Sequence, residues 1–255
     1  MPTPPHLFAS PETLSGAQDE FQLTGSEALH AIRVLRMRPG EEIVLLNGQG
    51  QLVRCQITLV KRDTLVMRCL QRVCVEDDRL PIYLVIALLR PEKMDVVIQK
   101  ATELGVQEIW PVFTAHCGCQ SPFAPAHLQA RYERWQEIAR QALKQCRGGF
   151  LPKIRPIMSL EEACAAIDAD FKVHTRLFCW EGARSSSHLL WPAITPPCIL
   201  TLGPEGGFSK SEYRMLMERD FLPISLGRRI LRAETAAISA ISITNYLISR
   251  NKNND

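Results

Sequence analysis

A chain of 255 residues can bury one large core or two small ones, and its 46% hydrophobic and 22% charged residues exclude a disordered or fibrous protein. A net charge of +3 is too small to announce a nucleic-acid binder by its total, so any such role has to rest on local clusters. The longest apolar run, Leu80 to Leu89, is half a membrane span, the N-terminus lacks a basic-then-apolar signal pattern, and nine cysteines without paired spacing fit a reducing cytosol. Cys117-Gly-Cys119 has one residue between its thiols and no His cluster nearby, which argues against zinc.

Up to about Val75 the pattern is short and strand-rich. Glu42 to Leu46, Leu52 to Val60 and Thr64 to Leu70 are bounded by Pro39-Gly40, Asn47-Gly48 and Lys61-Arg62-Asp63, the spacing of a small barrel or sandwich. A short helix is expected over Ser26 to Leu35, with Arg33 and Arg36 on one face. Glu76 to Arg79 is a polar break and the candidate linker. Strand and helix then alternate. Ile82 to Leu88 reads as a strand covered on both faces, Glu92 to Leu104 as an amphipathic helix stopped by Gly105, and Glu108 to Phe113 as the next strand. A long helix is expected from Pro125 to Cys146, with strands near Lys153 to Met158, Arg176 to Cys179 and Cys198 to Leu202. Ser159-x-x-Glu162 and Ser209-x-x-Glu212 read as capping boxes. Such alternation predicts a mostly parallel sheet with helices on both faces. The last helix, Ala233 to Ser249, is apolar or small nearly all round, which suits a subunit interface; the tail after Asn251 is polar.

Basic residues gather in three places: Arg33, Arg36 and Arg38; residues 131 to 155; and Arg228, Arg229 and Arg232. Each cluster could neutralise phosphates or simply form a solvated face. Two segments carry more chemistry: Leu202-Gly203-Pro204-Glu205-Gly206-Gly207-Phe208-Ser209, and Leu226-Gly227-Arg228-Arg229-Ile230-Leu231-Arg232-Ala233-Glu234-Thr235-Ala236. A glycine-rich turn from strand to helix lets backbone approach a ligand closely. Glu205 narrows the choice, because a carboxylate repels phosphate and the Lys-Ser/Thr pair of a P-loop is missing. The loop therefore suits a neutral or cationic ligand. Either segment alone also reads as a tight turn, and Glu234 also suits the first turn of a helix.

Together the two segments resemble the paired C-terminal signature of the SPOUT methyltransferases, and within them the 16S ribosomal RNA (uracil-N3) methyltransferase family. His30-x-x-Arg33-Val-Leu-Arg36-Met, Gln99-Lys-Ala-Thr-Glu103-Leu-Gly-Val, Trp135-x-x-Ile138-Ala, Gln145-Cys with Pro152-x-Ile154, and Trp180-Glu181 agree, so the resemblance covers essentially the whole chain. It implies a PUA-like, RNA-binding β-barrel over 1–77 and a SPOUT methyltransferase domain over 78–255, whose trefoil knot the ordinary rules of connectivity would exclude. It also implies S-adenosylmethionine as cofactor, 16S rRNA or the 30S subunit as substrate, a homodimer formed through the C-terminal domain, and a cytoplasmic location.

Carried over residue by residue, the resemblance places Leu202, Gly203, Pro204, Glu205, Gly206, Gly207, Leu226, Gly227, Ile230, Leu231, Thr235 and Ala236 around the cofactor. Uracil N3 is not a nucleophile until its proton leaves, so the site needs a base, a cation near the carbonyls, or both. Arg232 is the candidate cation, Glu234 the candidate base or orienting group, and Glu205 the second candidate base. Arg33, Arg36, Arg38, Arg147 and Arg229 are the expected RNA contacts, the last two beside the catalytic domain. Thr114-Ala115-His116 and Lys144-Gln145 stand where family members commonly have Ser/Thr-Glu-Arg and Glu-Gln; both are expected away from the cofactor loops, at an RNA-facing rim or dimer contact. Ribose 2′-O transfer and a non-catalytic assembly factor are the competing readings.

Overall fold

The computed structural model describes residues 3–14, 16, 18–117, 125–170, 175–182 and 191–252. Cys119 and the tail from Asn253 lie outside them. The chain divides into two compact units, 1–78 with 140–151, and 79–139 with 152–255. A division at residue 78 does not separate them cleanly, because 140–151 groups with the first unit.

In the first unit, β1 (His6–Phe8), β2 (Glu20–Leu23), β3 (Glu42–Leu46), β4 (Gln51–Val60) and β5 (Leu65–Cys74) form a five-stranded sheet of order β1-β3-β4-β5-β2. All neighbours are antiparallel except β1 and β3. Alternation explains β4: Val53, Cys55 and Ile57 are buried while Arg54 is exposed. They pack with Leu7, Phe21, Ile43, Leu45, Leu65 and Met67 into the unit's core. A single turn, α1 (Pro11–Leu14), comes first, and the expected helix is two pieces: α2 (Gly25–Leu29) continues as a π-type turn over His30–Val34. Arg36 lies beyond its end with φ of 55°. It therefore does not share a helical face with Arg33, contrary to the periodicity argument.

The second unit holds a seven-stranded sheet. Its path is β12 (Leu222–Ile224), β10 (Thr175–Cys179), β11 (Cys198–Leu202), β6 (Leu80–Ala87), β7 (Val106–Phe113) and β8 (Lys153–Ile154), with β9 (Met158–Ser159) also beside β7. Every pairing is parallel. Each residue of β11 is buried, so both faces of the sheet are covered there. The single strand expected over Lys153 to Met158 is broken at Arg155-Pro156-Ile157, where proline has no N–H for a ladder. The helices are α3 (Pro91–Glu103), α4 (Pro125–Cys146), α5 (Leu160–Asp170), α6 (Lys210–Glu218) and α7 (Ala233–Lys252).

Both capping boxes form. Ser209 Oγ accepts from Glu212 N at 3.2 Å while Glu212 Oε2 accepts from Ser209 N at 2.7 Å, and Ser159 and Glu162 repeat the exchange at 3.0 and 2.7 Å. Helix α7 buries Ala237, Ala240, Ile241, Thr244 and Ile248, a stripe at helical spacing that packs on α3, β6 and β11. Its other side leaves Tyr246 64% exposed. No helix of the described residues is long and apolar enough to cross a membrane.

Candidate active site

Strands β12, β10, β11 and β6 are consecutive neighbours and all parallel, so their carboxyl ends lie along one edge of the sheet, where open α/β sheets bind ligands. The segments leaving those ends enclose a cavity of about 350 Å³. Trp180 and Glu181 follow β10, Gly203 to Phe208 follow β11, Ser225 to Leu231 follow β12, and Lys93 comes from the first turn of α3 after β6.

Of the residues chosen from sequence, Leu202, Gly203, Pro204, Glu205 and Gly207 line the cavity from one loop, Leu226, Gly227, Arg229, Ile230, Leu231 and Arg232 from the other, and Ala236 from α7. Gly206, Thr235 and Glu234 do not line it. Glu234 sits in the first turn of α7 with its side chain 17% exposed and Oε2 buried without a hydrogen-bond partner among the described residues.

Sequence reasoning missed Lys93. Its Nζ lies 3.1 Å from Glu205 Oε1 and 3.8 Å from Glu234 Oε2. The available signal was position: a charged residue at the helix start just beyond a central strand, beside the buried stripe of Met94, Val97 and Ile98. Burial pushes the Glu205 carboxyl up, but the backbone N–H groups of Glu205 and Arg90 and the Lys93 ammonium outweigh it, holding the carboxyl below its ordinary value. Glu205 is thus a settled anion and a weak base. Desolvation pushes the Cys179 thiol, on the cavity wall, up to about 12, which excludes a thiolate nucleophile there at neutral pH.

Two glycines shape the first loop. A Cβ on Gly203 would meet the Phe208 ring at 3.2 Å, and that ring is buried edge-on against Phe178 with centroids 6.2 Å apart. Gly207 has φ of +70° and faces the Glu181 carboxylate, 3.5 Å from where a Cβ would stand. A β-branched residue is strained in that backbone conformation. Gly207→Val is expected to destabilise the fold by about 1–2 kcal/mol through strain in this loop, measured by urea unfolding.

The departure at Ala115 and His116 is not remote from this loop. Ala115 N donates to Glu212 Oε1 at 2.7 Å, His116 Nδ1 lies 3.1 Å from the Gly207 carbonyl, and the His116 Cβ would stand 2.9 Å from a Cβ on Gly206. The carbonyl can only accept, so Nδ1 is the donor there. Lys144 is not on a rim either. Its side chain is 8% exposed and pairs at 2.6 Å with Glu27, itself 16% exposed.

Residues 76–245 match the family described as RNA methyltransferase domain, and residues 23–67 match the RNA methyltransferase PUA domain. Ribosomal RNA small subunit methyltransferase E of Mycobacterium bovis is 31% identical over 233 residues, covering 89% of this chain and 86% of its own. The chain belongs to the ribosomal RNA small subunit methyltransferase E family. Two solved structures share its fold. A ribosomal RNA small subunit methyltransferase E from Neisseria gonorrhoeae, bound to S-adenosyl methionine, superposes with a TM-score of 0.81 at 29% identity, covering 96% of this chain and 98% of that one. A putative methyltransferase from Legionella pneumophila, in complex with the same cofactor, has a TM-score of 0.80 at 29% identity, covering 96% and 98%.

In this methyltransferase the basic clusters divide. Arg33, Arg36, Arg38, Arg147, Arg228 and Arg229 are exposed. Arg147 groups with the first unit. Much of the 131–155 cluster is already engaged: Arg134 pairs with Asp95 at 2.6 Å, Arg155 pairs with Glu108 at 2.7 Å and lies 4.8 Å over the Trp110 ring, and Lys144 holds Glu27. Those side chains serve the fold.

Proposed function

We propose that this protein transfers a methyl group from S-adenosylmethionine to N3 of a uridine in 16S rRNA. The observation that carries the reading is a cavity at the carboxyl ends of adjacent parallel strands, walled by the two glycine-bearing loops and carrying Glu181 and Glu205 on its lining. Its volume of about 350 Å³ suits a small ligand. Glu205 and Glu181 would face the cofactor's cationic groups, and Leu202, Leu226 and Leu231 its adenine, with loop backbone reading the ring edge. The bound cofactor supplies an activated methyl on a positive sulfur, which keeps the S–C electron pair when the methyl leaves.

The chain's own residues prepare the acceptor. Glu234 takes the N3 proton, breaking N–H and forming O–H, and the pair left on nitrogen makes the new N–C bond. Arg232 steadies the negative charge that spreads onto the flanking carbonyl oxygens. We assign residues 78–255 to a SPOUT-type catalytic domain with a trefoil knot and helices on both sheet faces. Residues 1–77 form its PUA-like RNA-binding barrel. The enzyme works in the cytoplasm, where its ribosomal substrate is, as a homodimer through the C-terminal domain. The exposed Tyr246 on the outer side of α7 supports that interface; light scattering of the purified protein reads the mass directly.

The deciding experiment compares nuclease-digested 16S rRNA from cells with and without the protein by mass spectrometry. Loss of 3-methyluridine is expected. Loss of a ribose-methylated nucleoside would replace the assignment with 2′-O transfer, and an unchanged pattern without cofactor binding would point to an assembly factor.

Arg33, Arg36, Arg38 and Arg147 on the first unit, and Arg229 on the second, are the proposed RNA contacts. Binding is expected to weaken steeply with salt, log K falling by about 0.7 per log unit of salt for each phosphate contacted. Filter binding at several salt concentrations checks this, and a flat dependence would remove these arginines from the interface.

A further inference from the structure

Lys93 on the cavity wall stands close to two carboxylates, Glu205 beside it on the wall and Glu234 behind it, and the distances to them differ in kind. Lys93 Nζ is within hydrogen-bond range of Glu205 Oε1 at 3.1 Å but only in Coulombic range of Glu234 Oε2 at 3.8 Å. The two acids come from different elements, the loop after β11 and the first turn of α7, so the lysine links three segments around one cavity. Lys93 itself is seated on a turn pre-set by Pro91 and flanked by buried Met94. Glu234 Oε2 is buried with no hydrogen bond among the described residues. A buried acceptor without a partner carries a desolvation cost that an arriving proton would relieve.

We propose that Lys93 is a positioning residue that assigns the two carboxylates their roles, fixing Glu205 as an ion-paired anion and leaving Glu234, whose Oε2 it approaches without a hydrogen bond, as the acid that takes the proton released from the substrate's N3. This rests on the methyl-transfer reading above. The charged groups facing the cavity are Lys93 on α3, Glu181 after β10, Glu205 after β11, Arg229 and Arg232 before α7, and Glu234 behind them on α7. Among these, Lys93 is the cation that contacts both candidate bases. Removing it takes away the cation that stands beside both acids, which favours their neutral forms.

The test uses the full-length protein, 30S subunits and labelled S-adenosylmethionine, with Lys93→Met, Lys93→Arg and Glu205→Gln variants. Lys93→Met is expected to lower kcat by tenfold or more and to move the acidic limb of the kcat–pH profile upward by about one unit or more. The KM for the cofactor should change less than kcat. Lys93→Arg should restore most of the rate and the wild-type limb. Glu205→Gln frees the lysine for Glu234 and should move the limb the opposite way, toward lower pH. That variant keeps the proposal testable should Lys93→Met fail to fold. A Lys93→Met enzyme with unchanged kcat and limb overturns the proposal, as does a Glu205→Gln limb that stays put or rises. Failure of the wild type to bind the cofactor or methylate the subunit would instead sink the methyl-transfer reading.

Discussion

Arg232→Ala is expected to lower the rate of methyl transfer by about a hundred- to a thousand-fold while leaving affinity for S-adenosylmethionine nearly intact. The physical reason lies in the acceptor. Uracil N3 holds its proton between two carbonyls, and the anion left behind spreads its charge onto both oxygens. A fixed cation stabilises that charge only as it develops, so its loss falls on turnover and not on ground-state binding. Arg232 lines the cavity from the start of α7. Its carbonyl accepts from Ala236 N at 2.8 Å, anchoring its backbone at the start of α7, while its exposed side chain lines the cavity. Labelled-methyl incorporation under single-turnover conditions, with calorimetry of the cofactor alone, separates the two effects. Arg232→Lys should recover part of the rate, because an ammonium supplies the charge without the planar fork. Wild-type turnover in the alanine variant would refute the role.

Lys144→Met is expected to destabilise the protein by about 3–5 kcal/mol. The Glu27 carboxylate is bound by Lys144 at 2.6 Å through Oε1 and by the Phe8 N–H at 3.0 Å through Oε2. Without the lysine a largely buried charge loses its counter-ion, and one backbone N–H cannot compensate. The double variant Lys144→Met/Glu27→Leu should recover most of the loss, since an apolar pair of similar volume fills the site without charge. Urea unfolding measures both. A single variant within about 1 kcal/mol of wild type would show that solvent reaches the pair and screens it.

Much of the architecture is legible in local pattern. The all-buried Cys198–Leu202 strand, the Pro125–Cys146 helix and both capping boxes follow from apolar periodicity and short-range hydrogen bonding, which depend on residues within a turn or two of each other. The first site loop is legible for the same reason, because a glycine-rich turn between a strand and a capped helix is one continuous stretch. The three-residue strand Leu222–Ile224 is too short for any period to register, and Pro223 argues against it locally.

By itself the sequence determined that the chain alternates strand and helix after residue 80, that its glycine loop suits a neutral or cationic ligand better than a phosphate, and that Arg232 and Glu234 belong to a second segment about twenty residues on. It could not say which distant groups face them. Lys93 precedes Glu205 by more than a hundred positions, and the parallel order of β6 and β11 brings them to 3.1 Å. Packing against the loop puts His116 at the Gly207 carbonyl, and burial turns Lys144 into the counter-ion of Glu27. These pairings join residues remote in the chain, and only the folded chain brings their groups within reach of each other.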